Sequence, residues 1–170
     1  MKQNAKVYLE KKTSDEVIKV EKVLLAVGVT GNINNLGLED LGIETEAGAI
    51  KTDNYNRTNI ENIYAIGDVC GPPWLAHVAS AQGLLAAEHS AGLNVNPIDY
   101  SNIPGCTYCQ PQVGSLGMTE EQALSSGFEV KVGRFSFQAS GKAMAVGDTV
   151  GFVKLIFDEK YGELLGAHIV

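Results

Sequence analysis

Three stretches of this sequence carry residue types and spacings that could do chemistry. The first is Thr58-Asn59-Ile60-Glu61-Asn62-Ile63-Tyr64-Ala65-Ile66-Gly67-Asp68, a threonine, four residues, and an apolar stretch ending in Gly-Asp. Read as a buried strand over Asn62 to Ile66, it delivers one carboxylate at its C-terminal end, where ligands of open α/β sheets sit. Asp68 there either accepts hydrogen bonds from sugar-like hydroxyls or caps the following loop, and Gly67 lets a ligand approach the backbone. The second is Cys106-Thr107-Tyr108-Cys109. On a helix N-terminus this spacing would make a redox pair with a lowered thiol pKa. Its flanks read as a strand, where residues three apart face opposite ways, so the sulfurs are not expected to meet. A zinc site would need two more ligands, and His77, His89 and His168 show no ligand spacing, so no metal is expected. The third, the glycine-rich run from Gly28 to Gly48, lacks G-x-G-x-x-G and is not a primary dinucleotide loop.

The elements that must position these residues follow from pattern. Lys6 to Glu10 and Glu16 to Lys22 alternate polar and apolar residues around a turn-like Lys11-Lys12-Thr13-Ser14-Asp15, which predicts a β-hairpin. Val23 to Val27 is a short apolar run ending at Gly28, which predicts a strand buried on both faces. Gly31 to Asp53 reads as irregular, with turns around Leu38 and Ile50. Behind Gly71-Pro72-Pro73 a helix is predicted from Leu75 to Ala91, favoured by Ala and Leu, opened by the prolines and closed by Gly92.

Pro97 and Pro104 bracket a linker, with a boundary near Ser101. Beyond it, Cys106 to Gln110 and Val113 to Gly117 read as extended. Thr119-Glu120-Glu121-Gln122 has the capping-box pattern and opens a short helix to about Ser126. Glu129 to Gln138, Gly151 to Phe157 and Glu163 to Val170 read as strands, with a turn at Asp158 to Gly162, so this half is mixed α+β and antiparallel. The chain stops inside the last apolar run without a turn signal, as a domain cut short would.

Composition narrows the function classes. The net charge of -7 and the absence of a Lys/Arg block argue against a nucleic-acid partner. No apolar run approaches the roughly 18 residues of a membrane span, and the first residues lack the apolar stretch of a signal peptide. Three cysteines do not make a secreted disulfide framework, and a reducing cytoplasm is the expected setting.

The eleven residues from Thr58 to Asp68 resemble the second flavin-binding signature of the pyridine nucleotide–disulfide oxidoreductases. Leu75-Ala76-His77 resembles the lipoamide dehydrogenase branch. Ile103 to Val113, Gly117 to Glu121, Ser136 to Gly151 and Gly166-Ala167-His168 resemble the family's dimerisation domain, and Val27 to Asn32 resembles the end of its NAD domain, although many relatives carry Arg and Pro where Thr30 and Gly31 stand. The resemblance implies an α/β remnant of Rossmann-like NAD- and FAD-binding domains followed by an α+β dimerisation domain with an antiparallel sheet. The divisions would be 1–53 for the end of the NAD-binding domain, 54–100 for an FAD-contacting segment and 101–170 for a dimerisation domain.

It further implies FAD-dependent oxidation of dihydrolipoamide with NAD+ as acceptor, in a homodimer joined through 101–170 and serving a lipoamide-bearing acyltransferase complex. Asp68 would hold a ribityl hydroxyl of FAD. The helix start at Trp74, Leu75, Ala76 and His77 would face the flavin, its dipole stabilising negative charge on the reduced ring. Trp74 would shield the flavin edge or cap the core. Gly28 would lie near the nicotinamide or merely end a strand. The family's redox cysteines, dinucleotide loops and C-terminal histidine would fall outside these residues, leaving no catalytic residue and no activity in this chain alone. A sibling reductase (mercuric, glutathione or CoA-disulfide) and a non-catalytic dimerisation module are the alternatives.

Overall fold

The computed structural model describes residues 5–10 and 15–170, with side chains from Val20 onward. The predicted hairpin forms: β1 (Ala5–Glu10) pairs antiparallel with β2 (Asp15–Val20), Ala5 opposite Val20 and Glu10 opposite Asp15. The expected strand at Val23 to Val27 does not form. Leu24 is 90% and Leu25 78% exposed. A doubly buried strand needs neighbours to pair its backbone and layers to cover both faces. Among the described residues no strand pairs with this run.

From Gly31 the chain folds around a small core of Leu38, Ile43, Ile50 and Ala65, flanked by Ile33, Ile60, Ile63, Val69 and Cys70. The turn foreseen at Ile50 is a miniature hairpin, β3 (Thr45–Glu46) and β4 (Ala49–Ile50). Its turn residues Ala47 and Gly48 both have positive φ, 50° and 80°, the twist a two-residue hairpin loop prefers.

Asn62 to Ile66 is also not a strand. Asn62 sits at φ 65°, and only Tyr64 forms a ladder-type bridge, to Arg57. Local polar groups win over the apolar pattern here. The Thr58 hydroxyl accepts from Ile60 N–H (3.1 Å) and donates to Ile63 O (3.0 Å), while Thr58 N–H donates to Ile63 O (2.9 Å). Asn59 ties the loop outward, accepting from Glu44 N–H and donating to Gly42 O. Side-chain bonds of this kind offer the backbone an alternative to a sheet.

The helix forms nearly as read. α1 (Ala76–Ser90) buries Val78, Gln82, Leu85 and Ala86, a single stripe at helical spacing. It closes with Gly92 at φ 79°, Gly92 N–H donating to His89 O and Leu93 N–H to Glu88 O. These are the paired bonds of a Schellman cap.

The second half is a five-stranded antiparallel sheet. In chain order it comprises β5 (Gly105–Thr107), β6 (Val113–Gly117), α2 (Glu120–Ser125), β7 (Val130–Ser136), α3 (Gly141–Val146), β8 (Phe152–Asp158) and β9 (Leu164–Ile169). The strand order is β5-β6-β9-β8-β7. The α2 capping box is present in both directions. α2 packs on β7, and Ala123 in α2 and Ile156 in β8 are fully buried. α3 was not anticipated, although Ser140 caps it and Gly147 ends it at φ 74°. The Asp158 to Gly162 turn is held by Asp158, whose carboxylate accepts from Tyr161 N–H at 2.9 Å.

Candidate functional site

The Gly-Asp of the signature lies in a 3-10 turn, Gly67–Cys70, packed against the first half of α1. Gly67 has φ 74°, and a Cβ there would sit 3.3 Å from the Cβ of Ala79. Its missing side chain therefore serves the turn and the helix contact. One residue earlier, the Cδ1 of Ile66 lies 3.2 Å from where Gly83 would carry a Cβ. The small residues Ala79 and Gly83 make a groove in α1 that receives the chain just before Asp68.

Asp68 is exposed, and its carboxylate has no hydrogen bond or ion pair among the described residues. The carboxylate does not cap the following loop. Its backbone carbonyl does the local work instead, accepting from Gly71 N–H (3.2 Å) and from the indole Nε1–H of Trp74 (3.3 Å). Trp74, 39% exposed, thus lies across the Asp68 turn and is not a core residue.

The start of α1 is uncapped. Leu75 is its N-cap, no side chain bonds the first turn, and no acidic residue lies there. The first bond into the helix runs from Ala79 N–H to Leu75 O, which leaves the N–H groups of Ala76, His77 and Val78 without an acceptor among the described residues. Such a terminus carries about half a positive charge. The His77 imidazole turns away from it and donates Nε2–H to Pro104 O at 3.0 Å, tying the helix start to the linker before β5.

One residue of this site was missed in the sequence. Gln82 is 6% exposed, and its amide bridges two segments. Oε1 accepts from Gly67 N–H at 2.7 Å, and Nε2 donates to the Tyr100 hydroxyl at 2.8 Å. The only available signal was a polar residue four positions after Val78, on the stripe that must be buried.

On the far side of the turn runs the segment containing Thr30 and Gly31. A Cβ on Gly31 would stand 3.0 Å from Asp68 O, 3.1 Å from Val69 Cα and 3.3 Å from Gly48 O. With the miniature hairpin and Trp74 this segment frames a cleft of about 520 Å³. Gly28 is not in that cleft. It has φ 114° and nothing within 4 Å of a notional Cβ.

The cysteines occupy different environments. Cys70 packs against the small core, and burial pushes its thiol up to about 11 despite a hydrogen bond with Asn56. Cys106 lies in β5 and Cys109 in the bend beyond it, both exposed and in no disulfide, the Cys109 thiol donating to Pro111 O at 2.9 Å. Among the described residues no His, Cys, Asp and Glu cluster could hold a metal. His89 is half-buried. Its ring stacks on Tyr55 with centroids 4.5 Å apart, and Nδ1 is 2.8 Å from the Tyr64 hydroxyl. His168 donates Nε2–H to Met118 O within the sheet domain.

Residues 1–83 match the family model of the pyridine nucleotide-disulphide oxidoreductases, and residues 103–170 match that family's dimerisation domain. A dihydrolipoyl dehydrogenase of Rhizobium etli is 55% identical over 162 residues, which is 93% of this chain and 34% of the relative. One of Zymomonas mobilis is 53% identical, over 86% of this chain and 32% of the relative. Among solved structures, LpdA of Mycobacterium tuberculosis aligns with a TM-score of 0.85 at 25% identity, covering 99% of this chain and 37% of that one. The flavoprotein disulfide reductase RclA of Escherichia coli aligns with a TM-score of 0.85 at 27% identity, covering 99% and 39%. The chain therefore spans about a third of the length of the curated relatives it matches.

Proposed function

This chain belongs to the pyridine nucleotide–disulphide oxidoreductase family, and on that premise we propose that it is part of a dihydrolipoyl dehydrogenase, oxidising dihydrolipoamide with FAD as cofactor and NAD+ as acceptor. The carrying observation is the Asp68 carboxylate, which has no partner among the described residues, beside an uncapped helix start. Such a carboxylate suits a hydroxyl-bearing ligand. Three N–H groups without an acceptor among the described residues, in a first turn that carries no acidic residue, suit an anionic or electron-rich edge. FAD has both, and when bound it supplies the electron transfer between a dithiol and a nicotinamide.

In this reading Asp68 accepts a hydrogen bond from the ribityl chain, and the backbone from Trp74 to His77 faces the flavin ring. Gly28 belongs to the nicotinamide side. Residues 1–53 end the NAD-binding domain, 54–100 contact FAD, and 101–170 pair with a second copy through the antiparallel sheet. The whole enzyme works in the cytoplasm with a lipoamide-bearing acyltransferase complex, and these residues alone are inactive.

Replacing the matching third of the Rhizobium etli enzyme with this chain tests the reading. The graft is expected to show flavin absorbance and dihydrolipoamide-dependent NADH formation, with Asp68→Ala losing FAD and this chain alone giving no turnover. A folded graft without flavin, or one in which Asp68→Ala retains FAD at full affinity, would overturn it.

A further inference from the structure

Between Asp68 and the sheet domain lies a relay of polar contacts that the function above does not use. The Asp99 carboxylate accepts from Ser101 N–H (2.9 Å) and from the Ser101 hydroxyl (2.6 Å), shaping the turn that presents Tyr100. The Tyr100 hydroxyl accepts from Gln82 Nε2, and Gln82 Oε1 accepts from Gly67 N–H. Because the peptide N–H can only donate, the amide orientation is fixed: oxygen to Gly67, nitrogen to Tyr100. A glutamine 6% exposed has both ends of its amide satisfied, one by the Gly67 turn and one by the linker that carries Tyr100.

From this geometry we infer that Gln82 is a positioning residue for the Asp68 turn, with Tyr100 as its support, so that the linker before the sheet domain sets where the Asp68 carboxylate stands. The inference rests on the reading of Asp68 as a flavin contact and names a residue that acts on it without touching the cofactor. Gly67 N–H is the last backbone donor before Asp68, and Gly67 is already pressed against Ala79. The hydrogen bond removes the remaining freedom of that peptide. Without it a part-buried donor loses its partner, a penalty that favours a shifted turn.

The test uses amide hydrogen exchange on this chain, comparing Gln82→Met, Gln82→Glu and Tyr100→Phe with the wild type. Exchange at Gly67 is expected to rise roughly ten-fold or more in Gln82→Met and by a smaller factor in Tyr100→Phe. Gln82→Glu, which keeps an acceptor for Gly67, returns most of the protection. The Ile156 amide in the sheet reports global stability and should not change. Unchanged Gly67 exchange in Gln82→Met, or equal acceleration at Gly67 and Ile156, overturns the positioning role. Tyr100→Phe removes one hydroxyl and keeps the test valid if Gln82→Met fails to fold; no effect of Tyr100→Phe at Gly67 overturns the support role. In the Rhizobium etli graft, Gln82→Met should weaken FAD affinity several-fold, and unchanged affinity there overturns the link to the cofactor. A graft that binds no FAD even with Gln82 intact sinks the flavin reading instead, while Gly67 exchange in this chain still decides whether Gln82 sets the turn.

Discussion

Asn56 clamps Ala65 by both backbone groups. Its carbonyl accepts from Ala65 N–H at 3.0 Å, and its side-chain Nδ2 donates to Ala65 O at 3.2 Å. Asn56 is 3% exposed and sits at φ 62°, a left-handed conformation that asparagine tolerates better than most residues. Asp53 builds the loop that places it, accepting from the N–H groups of Tyr55 and Arg57. Burial raises the Asp53 carboxyl, but those hydrogen bonds and the Arg57 guanidinium outweigh it and hold the carboxyl below its ordinary range. The clamp is three residues from Asp68, so it sets the approach of the signature turn.

Asn56→Ala should therefore destabilise the chain by about 2–4 kcal/mol. It combines an unmet buried carbonyl with alanine in left-handed backbone. Asn56→Gly keeps the first loss and avoids the second, so its urea midpoint should lie between wild type and Asn56→Ala. Equal midpoints for the two variants would refute the strain component.

Gly31→Ala should cost roughly 1–3 kcal/mol, because the added Cβ meets only backbone at Asp68, Val69 and Gly48. Trp74 is the sole tryptophan and donates to Asp68 O, so its fluorescence reports on the same turn. The emission should shift in Gly31→Ala. In Gly133→Ala, where the added atom meets nothing within 4 Å and the backbone is not left-handed, it should not, and a shift of equal size there would count against the close approach.

The three thiols should react in order of environment. At neutral pH iodoacetamide should modify exposed Cys106 and Cys109 well before Cys70, whose thiol titrates near 11 instead of its ordinary 9.0. A thiol pKa raised by folding means the native state holds its proton longer than the unfolded state. This contribution is complete below about pH 9 and is lost as pH rises toward about 11. Cys70→Ala should flatten the alkaline fall in stability over that window. Mass spectrometry of the alkylated chain checks the first claim and urea titration at several pH values the second.

Glu120 joins two strands, its Oε2 lying 2.6 Å from Lys154 Nζ and 3.2 Å from Arg134. The hydrogen bond from Lys154 holds its carboxyl below the usual range. A depressed carboxylate contributes stability above its unfolded pKa, and that contribution disappears as pH falls through the folded value. Because the cluster is solvent-exposed, Glu120→Gln should barely move the urea midpoint at pH 7. Its effect should vanish in acid below the carboxylate range. A variant difference that grows as pH drops would contradict this sign.

The parts legible in the sequence are those whose physics is local. The α2 capping box needs Thr119 and Gln122, three residues apart. The α1 cap needs Gly92, and the hairpin and sheet strands need only alternation and turns. Even α3, overlooked in the sequence, is announced by Ser140 and Gly147. The motif ending in Asp68 was likewise visible as a pattern, and with it the family.

The tertiary structure decided what depends on distant partners. Asn62 to Ile66 looked like a strand because Ile63 and Ala65 belong to the core, yet Asn56 and Thr58 claim its backbone and leave only one bridge. Val23 to Val27 has strand composition, but a strand exists only beside another. Gln82 reads as an ordinary helical glutamine until residues fifteen positions before it and eighteen after it are brought to its amide. Periodicity reports that a side chain is buried; which buried donor meets which acceptor is settled only when the segments pack together.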